Sequence, residues 1–425
     1  MPPMSIATRE ANAATAGPAR RRVIVAILLI LAAGVCAFDM HRFLGEMESG
    51  MPTLKRWLPY AAELGADGAL YSRHPDYLYP PVFLVLLRPL TWVPPSVAAV
   101  LWQLAKYVSV MGIFVMAWRA LAPPSGMPVW VKVCSILMSL RFIHSDPSHG
   151  NVNIFIAFLV VSAWFLLVRG RDFSAGLLVA LAVIKVTRLI WAAYLLYVRR
   201  WRAAAGVAVG LFLAIEVVPL VVVSPKTNHA LVVDWYRHVA HGYLSKGEVY
   251  STRINQSMAA VMNRLLGRSD LAPDEPSVAV ADLAPSAITW LQRAAAAAIF
   301  AALAWFCRPS PPPRAALPLA VDWSLVAAAS LLLSGYTWSS HLCLLALPHV
   351  VVLAYLAGER PRVDRPVLVF VSLSFAFCSL TGDNLTSAGR EWASAVGSMC
   401  FGALFLFAAL TMIRSRLRAP SAATC

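Results

Sequence analysis

Hydrophobic residues fall along this chain in long, nearly unbroken runs separated by short polar or proline-bearing segments. A helix that crosses hydrocarbon needs about 20 mostly apolar residues. Ten runs approach that length: 23–38, 96–118, 129–144, 151–168, 203–223, 286–307, 322–338, 341–357, 366–380 and 392–413. Segment 173–197 does not fit a simple crossing. It is flanked by Arg169 and Arg171 on one side and by Arg199 and Arg200 on the other, and it carries Lys185-Val186-Thr187-Arg188 inside it. It is too short for two crossings of about 20 residues each, so the pattern predicts two half-helices that enter, meet near Lys185 and return. The alternative is a single span beside a misassigned neighbour. Broken backbone at membrane depth is stable only when it is packed in protein or lines a cavity. Segment 80–94, opened by Pro80-Pro81 and closed by Pro94-Pro95, reads as a short apolar helix dipping in from the outer side.

Composition agrees with this pattern. Of the 425 residues, 59% are hydrophobic and 13% charged, and the mean hydropathy is +0.67. A soluble domain cannot hide that much apolar surface, which predicts an all-α, polytopic integral membrane protein. A single transmembrane domain is expected over 23–413, between an N-terminal tail (1–22) and a C-terminal tail (414–425). The first run is read as a retained span rather than a cleavable leader, because no small-residue cleavage site follows it.

The net charge of +15 raises the question of nucleic acid, but its distribution answers otherwise. Basic residues gather beside alternate ends of the runs, from Arg20, Arg21 and Arg22 to Arg414, Arg416 and Arg418. The positive-inside rule then places both termini in the cytoplasm. It places segments 39–80, 145–150, 224–285 and 381–391 outside. The Ser310-Pro311-Pro312-Pro313 run reads as a stiff cytoplasmic linker. The seven cysteines are scattered singly, with no spacing that suggests a disulfide or a zinc site.

Candidate chemistry collects on the outer side. Asp39 stands at the outer end of the first run, where a carboxylate is costly to keep near hydrocarbon. Arg42 and Tyr79 belong to the following loop. A second cluster, His144 to Asn153, contains Asp146, Asn151 and Asn153, more polar groups than helix capping needs. A third contains Arg253, Asn255 and Gln256, a donor set suited to phosphate and hydroxyl groups. The fourth is Trp338-Ser339-Ser340-His341. Motifs of serine hydrolases, nucleotide-binding P-loops and zinc proteases are absent.

In these residues the chain resembles glycosyltransferase family 87, membrane enzymes of the C-type glycosyltransferase fold. The resemblance is carried, in order, by Asp39, Tyr77-Leu78-Tyr79-Pro80-Pro81, Gly150 to Asn153, the half-helix Ala175 to Lys185 with Arg199 to Arg202, Asn255-Gln256-Ser257, and Trp338 to His341. The chain departs from the family pattern at Asn151, Val186 and Met40 to Arg42. The resemblance implies transfer of a hexose, with mannose expected, from a polyprenyl-phosphate donor to a glycolipid or glycan acceptor at the outer face of an inner (plasma) membrane. The expected chemistry is a single displacement with inversion. Asp39 is the base that takes the acceptor's proton, and His341 orients the phosphate or shuttles a proton. Arg42, Lys185, Arg188 and Arg253 are expected at the donor phosphate, where charge grows in the transition state. Tyr79, Asp146, Asn151, Asn153, Asn255 and Gln256 are expected at the sugar or acceptor. No cofactor is called for; a divalent metal is compatible with the chemistry, but no residue pattern demands one. The competing readings are a lipid or solute transporter and a non-catalytic subunit of an envelope assembly complex.

Overall fold

The computed structural model describes residues 34–50, 52–65, 68–241, 249–267, 277–309, 315–358, 363–382 and 385–418. Most of the expected first span, both tails and the proline-rich linker lie outside these residues. Every regular element among the described residues is a helix.

Helix α1 (34–49) carries the end of the first apolar run into segment 39–80, which was expected to be an outer loop. That segment is not a loose loop. It folds into α2 (Thr53–Glu63), the single turn α3 (Leu70–Arg73) and α4 (Pro81–Leu87), which continues as a 3-10 turn, Arg88–Trp92. Proline at the first helical positions opens α4 and also α5 (Pro95–Leu121), where its missing N–H costs nothing and its φ is already helical.

Next come α6 (Val129–His149), α7 (Asn153–Val168) and α8 (Asp172–Ala182). The chain then breaks, passes through the 3-10 turn Val186–Arg188 and resumes as α9 (Leu189–Tyr197). Two short helices therefore flank Lys185, separated by a bend and a 3-10 turn. Helix α10 (Trp201–Phe212) packs closely on α8 because Gly176 and Gly206 face each other's helix backbone. A Cβ on Gly176 would meet the Ala203 carbonyl, and one on Gly206 that of Phe173. Small residues at such crossings let helix backbones approach, which in lipid replaces hydrophobic driving force with packing.

The remaining helices are α11 (Pro225–Trp235), α12 (Met258–Leu266), α13 (Pro285–Phe306), α14 (Ala316–Leu332), α15 (Ala346–Leu356), α16 (Arg365–Ser379), α17 (Ser387–Val396) and α18 (Ser398–Arg418). Helix α14 is apolar nearly all round and is buried from Leu319 to Leu332, as a helix in the centre of a bundle should be. The 3-10 turn Ser339–Leu345 leads directly into α15, and both lie in the core beside α14. Helix α13 is at the periphery, with few residues buried.

Among the described residues, five stretches are long and apolar enough to cross a membrane: Pro95–Leu121, Trp201–Val221, Pro285–Phe306, Ser339–Leu356 and Ser398–Arg418. Shorter apolar helices fill the bundle around them.

Three expected boundaries are corrected. Segment 145–150 is not a loop, since α6 runs through it to His149. Donors from α5 make this possible: Gln103 bonds the Pro147 carbonyl (2.9 Å) and Lys106 the Asp146 carbonyl (3.1 Å). The run 392–413 is two helices, divided at Gly397, whose φ of +90° ends α17. The run 322–338 starts earlier, at Ala316, and stops at Leu332. There Ser334 bonds the Tyr336 carbonyl and Thr337 bonds that of Leu331, forming a tight turn.

Candidate active site

Gly150 organises the site. It ends α6 in the left-handed region (φ +68°), which glycine enters without a steric penalty. Its missing side chain also admits Phe43 and the Leu54 backbone, since a Cβ would lie 3.1 and 3.2 Å from them. The turn delivers Asn151 and Asn153 to the 3-10 turn at Ser339–Leu345. Both side-chain amides donate to Ser340 Oγ, at 3.3 and 3.2 Å. Thr53 donates to Asn151 Oδ1 (3.1 Å).

The break after α8 brings Lys185 to the same place. Its Nζ lies 2.5 Å from Asn153 Oδ1 and 2.7 Å from His341 Nε2. The Trp338 backbone N–H donates to His341 Nδ1 (2.8 Å). Lys185 also stands 5.8 Å above the Tyr79 ring. Tyr79 packs edge-on to Trp57 and accepts a bond at its carbonyl from the Tyr71 hydroxyl (2.7 Å). Burial lifts the phenols of Tyr71, Tyr77 and Tyr79 above their ordinary range, so all three are neutral groups. Arg188 is 3% exposed and donates to Ser330 Oγ (2.8 Å).

The two candidate carboxylates differ. Asp146 is fully buried. Its Oδ1 is 2.8 Å from the equally buried Lys106 Nζ, and its Oδ2 accepts from the Asn153 backbone N–H (2.9 Å). It holds the α6–α7 corner together. Asp39 is 6% exposed, and its Oδ1 is 2.8 Å from His144 Nδ1. Among the described residues no group donates an aligned hydrogen bond to this oxygen, and the same holds for Asp146 Oδ1; the two carboxylates differ in partner, a buried ammonium for Asp146 and an imidazole for Asp39. Buried polar atoms left this way in native proteins call for an explanation, a catalytic role among them.

Beside Asp39 lies a cavity of about 1000 Å³. Val35 and Arg42 line it, four residues before and three after Asp39, and that spacing puts all three on one face of α1. His144 lines it from α6, joined by Arg141, Arg253 and Arg390. Its other wall is apolar and outward-facing, with Leu137, Leu140 and Leu380 all substantially exposed. The cavity thus joins a cationic rim to a surface suited to lipid.

Asn255 and Gln256 have a different setting. Asn255 donates to the carbonyls of Tyr250 (2.7 Å) and Gly335 (2.9 Å) and accepts from the Ser257 and Thr337 backbone. Gln256 donates to the carbonyls of Arg253 and Ser394 and accepts from Met399 N–H. These bonds pin segment 250–257 to the turn at 335–337 and to the start of α18. Arg253 forms a 3.6 Å ion pair with Glu391.

Sequence reasoning missed Arg141 and Arg390 as parts of the cationic rim, and it gave His144 and Ser340 no role of their own. The signal available was an arginine inside an otherwise apolar run at 141. Among the described residues no group of three His, Cys, Asp or Glu side chains clusters as a metal site would require.

The family model described as glycosyltransferase family 87 matches residues 77–335. A curated relative from Mycobacterium tuberculosis (strain CDC 1551 / Oshkosh) is named polyprenol-phosphate-mannose-dependent alpha-(1-2)-phosphatidylinositol pentamannoside mannosyltransferase. It is 28% identical over 272 residues, 60% of this chain and 60% of the relative. A relative of the same name from Mycolicibacterium smegmatis (strain ATCC 700084 / mc(2)155) is 28% identical over 217 residues, 49% of this chain and 50% of its own length. The chain therefore matches about three fifths, or less, of the length of these relatives. No solved structure matches.

Proposed function

The chain belongs to glycosyltransferase family 87, and from that premise we propose that it transfers a hexose, mannose by analogy with its relatives' names, from a polyprenyl-phosphate donor to a glycolipid or glycan acceptor. The site lies at the outer face of the plasma membrane, and both termini are cytoplasmic. The observation that carries this reading is Asp39: a buried carboxylate paired with an imidazole rather than an ammonium, on the face of α1 that borders a cationic cavity with an apolar wall.

In this reading the polyprenyl tail lies along Leu137, Leu140 and Leu380, and the phosphate enters among the cavity's arginines. The acceptor hydroxyl attacks the anomeric carbon from the face opposite the phosphate. Its proton passes to Asp39, with His144 holding the carboxylate. The bond from carbon to phosphate oxygen breaks, and the polyprenyl phosphate leaves with one more negative charge. Fixed cations aimed at that oxygen lower the barrier because they need not reorganise as the charge grows; Arg42, Arg253, Lys185 and Arg188 supply them. His341 orients the phosphate. Tyr79, Asn151 and Asn153 meet the sugar or acceptor. Asp146, Asn255 and Gln256 act on the sugar through the corner and turn they hold. The relatives' names support a phosphatidylinositol-mannoside acceptor.

The test is the product's stereochemistry. Membranes containing the protein, given a polyprenyl-phosphate hexose of known anomeric configuration and a mycobacterial glycolipid extract, should form a glycoside of the opposite configuration by NMR. Retention would exclude single displacement, and absence of any transfer would remove the transferase reading.

A further inference from the structure

Lys185, His341 and Asn153 form a chain of hydrogen bonds whose protons can be counted. A neutral imidazole has one nitrogen that donates and one that accepts. The Trp338 backbone N–H can only donate, and it points at His341 Nδ1 (2.8 Å). Nδ1 is therefore the acceptor, and Nε2 carries the hydrogen. Nε2 lies 2.7 Å from Lys185 Nζ. An ammonium offers three donors and no acceptor, so an ammonium here would need both ring nitrogens to accept, which is an imidazolate. An uncharged amine resolves the conflict: it accepts from Nε2–H and donates to Asn153 Oδ1 (2.5 Å).

The surrounding charges agree. Arg188, on the turn just after Lys185, is a second cation in the same corner. Asp146 is the acid whose charge acts on this pair, and it is already bonded to Lys106. Tyr79, a neutral phenol, and Cys343 are the other titratable groups that face it.

We propose that Lys185 is an uncharged amine in the empty site, held so by His341, and that it takes one proton from solvent when an anionic phosphate binds. This rests on the donor reading above. Arrival of the phosphate supplies the missing counter-charge; the new ammonium donates to a phosphate oxygen, and the imidazole is left to hydrogen-bond the ligand through Nε2–H. The positive charge then appears only once the substrate is in place, and it faces the oxygen on which charge grows during transfer.

The test is isothermal titration calorimetry of the intact protein in detergent with a short-chain polyprenyl-phosphate mannose and no acceptor. The probe is a phosphodiester without an ionisation near neutrality, so any proton taken up belongs to the protein. Titrations at mildly alkaline pH in two buffers of different ionisation heat should differ by close to one proton per donor bound. The affinity should weaken about tenfold per pH unit where the empty pair is deprotonated. Lys185→Arg, whose guanidinium is always charged, should bind without proton uptake; folding of the variant is checked by thermal unfolding. Binding with equal heats in both buffers would overturn the inference and leave the donor reading intact. Proton uptake persisting in Lys185→Arg would also overturn it. Absence of any binding by the wild type would overturn both.

Discussion

Two carboxylates, Asp39 and Asp146, lie in polar stretches that border apolar runs, and their neighbours give them different partners. Asp146 meets Lys106 from α5 and the Asn153 backbone, so its charge is matched on both oxygens. Among the described residues the ion-pair partner of Asp39 is the imidazole of His144. The sequence showed both as candidates but could not separate them, because the deciding partner of Asp146 is 40 residues away in the chain. Asn255 and Gln256 were legible as unusual polar groups for the same reason, and their role in pinning a turn was not, since their partners are backbone atoms at 335 and 394. Gly150 is the residue on which this corner turns. Gly150→Ala forces a Cβ into the left-handed region and against Phe43, and should cost about 1 kcal/mol or more. Thermal unfolding in detergent should show a lower midpoint; an unchanged midpoint would mean that the corner tolerates another backbone.

At the scale of elements, runs of apolar residues located most helices, and charges inside them located the break. Lys185 and Arg188 mark the interruption between α8 and α9. What the pattern missed were ends set by tertiary bonds: α6 continuing through Pro147, and α17 separating from α18 at Gly397. The far end of the bundle is held by charge. Arg414 on α18 makes two bonds to Asp322 on α14, at 2.5 and 3.1 Å, with both side chains almost fully buried. Breaking a buried pair by removing one partner costs about 3–5 kcal/mol, whereas an apolar replacement of both is often neutral. Asp322→Ala should therefore lower the unfolding midpoint strongly, and Asp322→Leu with Arg414→Met should recover most of that loss. An unchanged midpoint for Asp322→Ala would show that the pair contributes little.

At the scale of the whole molecule, Asn153, Lys185 and His341 meet through hydrogen bonds, and the turn they share, at Ser339 and Ser340, borders a cavity with an apolar wall that α1 lines through Val35 and Arg42. The family match spans residues 77–335 and leaves both Asp39 and His341 outside it. The account therefore depends on Asp39 more than on any other residue. The measurement that tests it most directly is transfer of radiolabelled hexose from polyprenyl-phosphate mannose by membranes carrying wild type, Asp39→Asn or Asp39→Ala at equal protein levels. Loss of a positioned base should reduce transfer by about 10²–10⁴-fold in both variants, with donor binding retained. Transfer at wild-type rates by Asp39→Asn would contradict the assignment of the base and the reading of the site built around it.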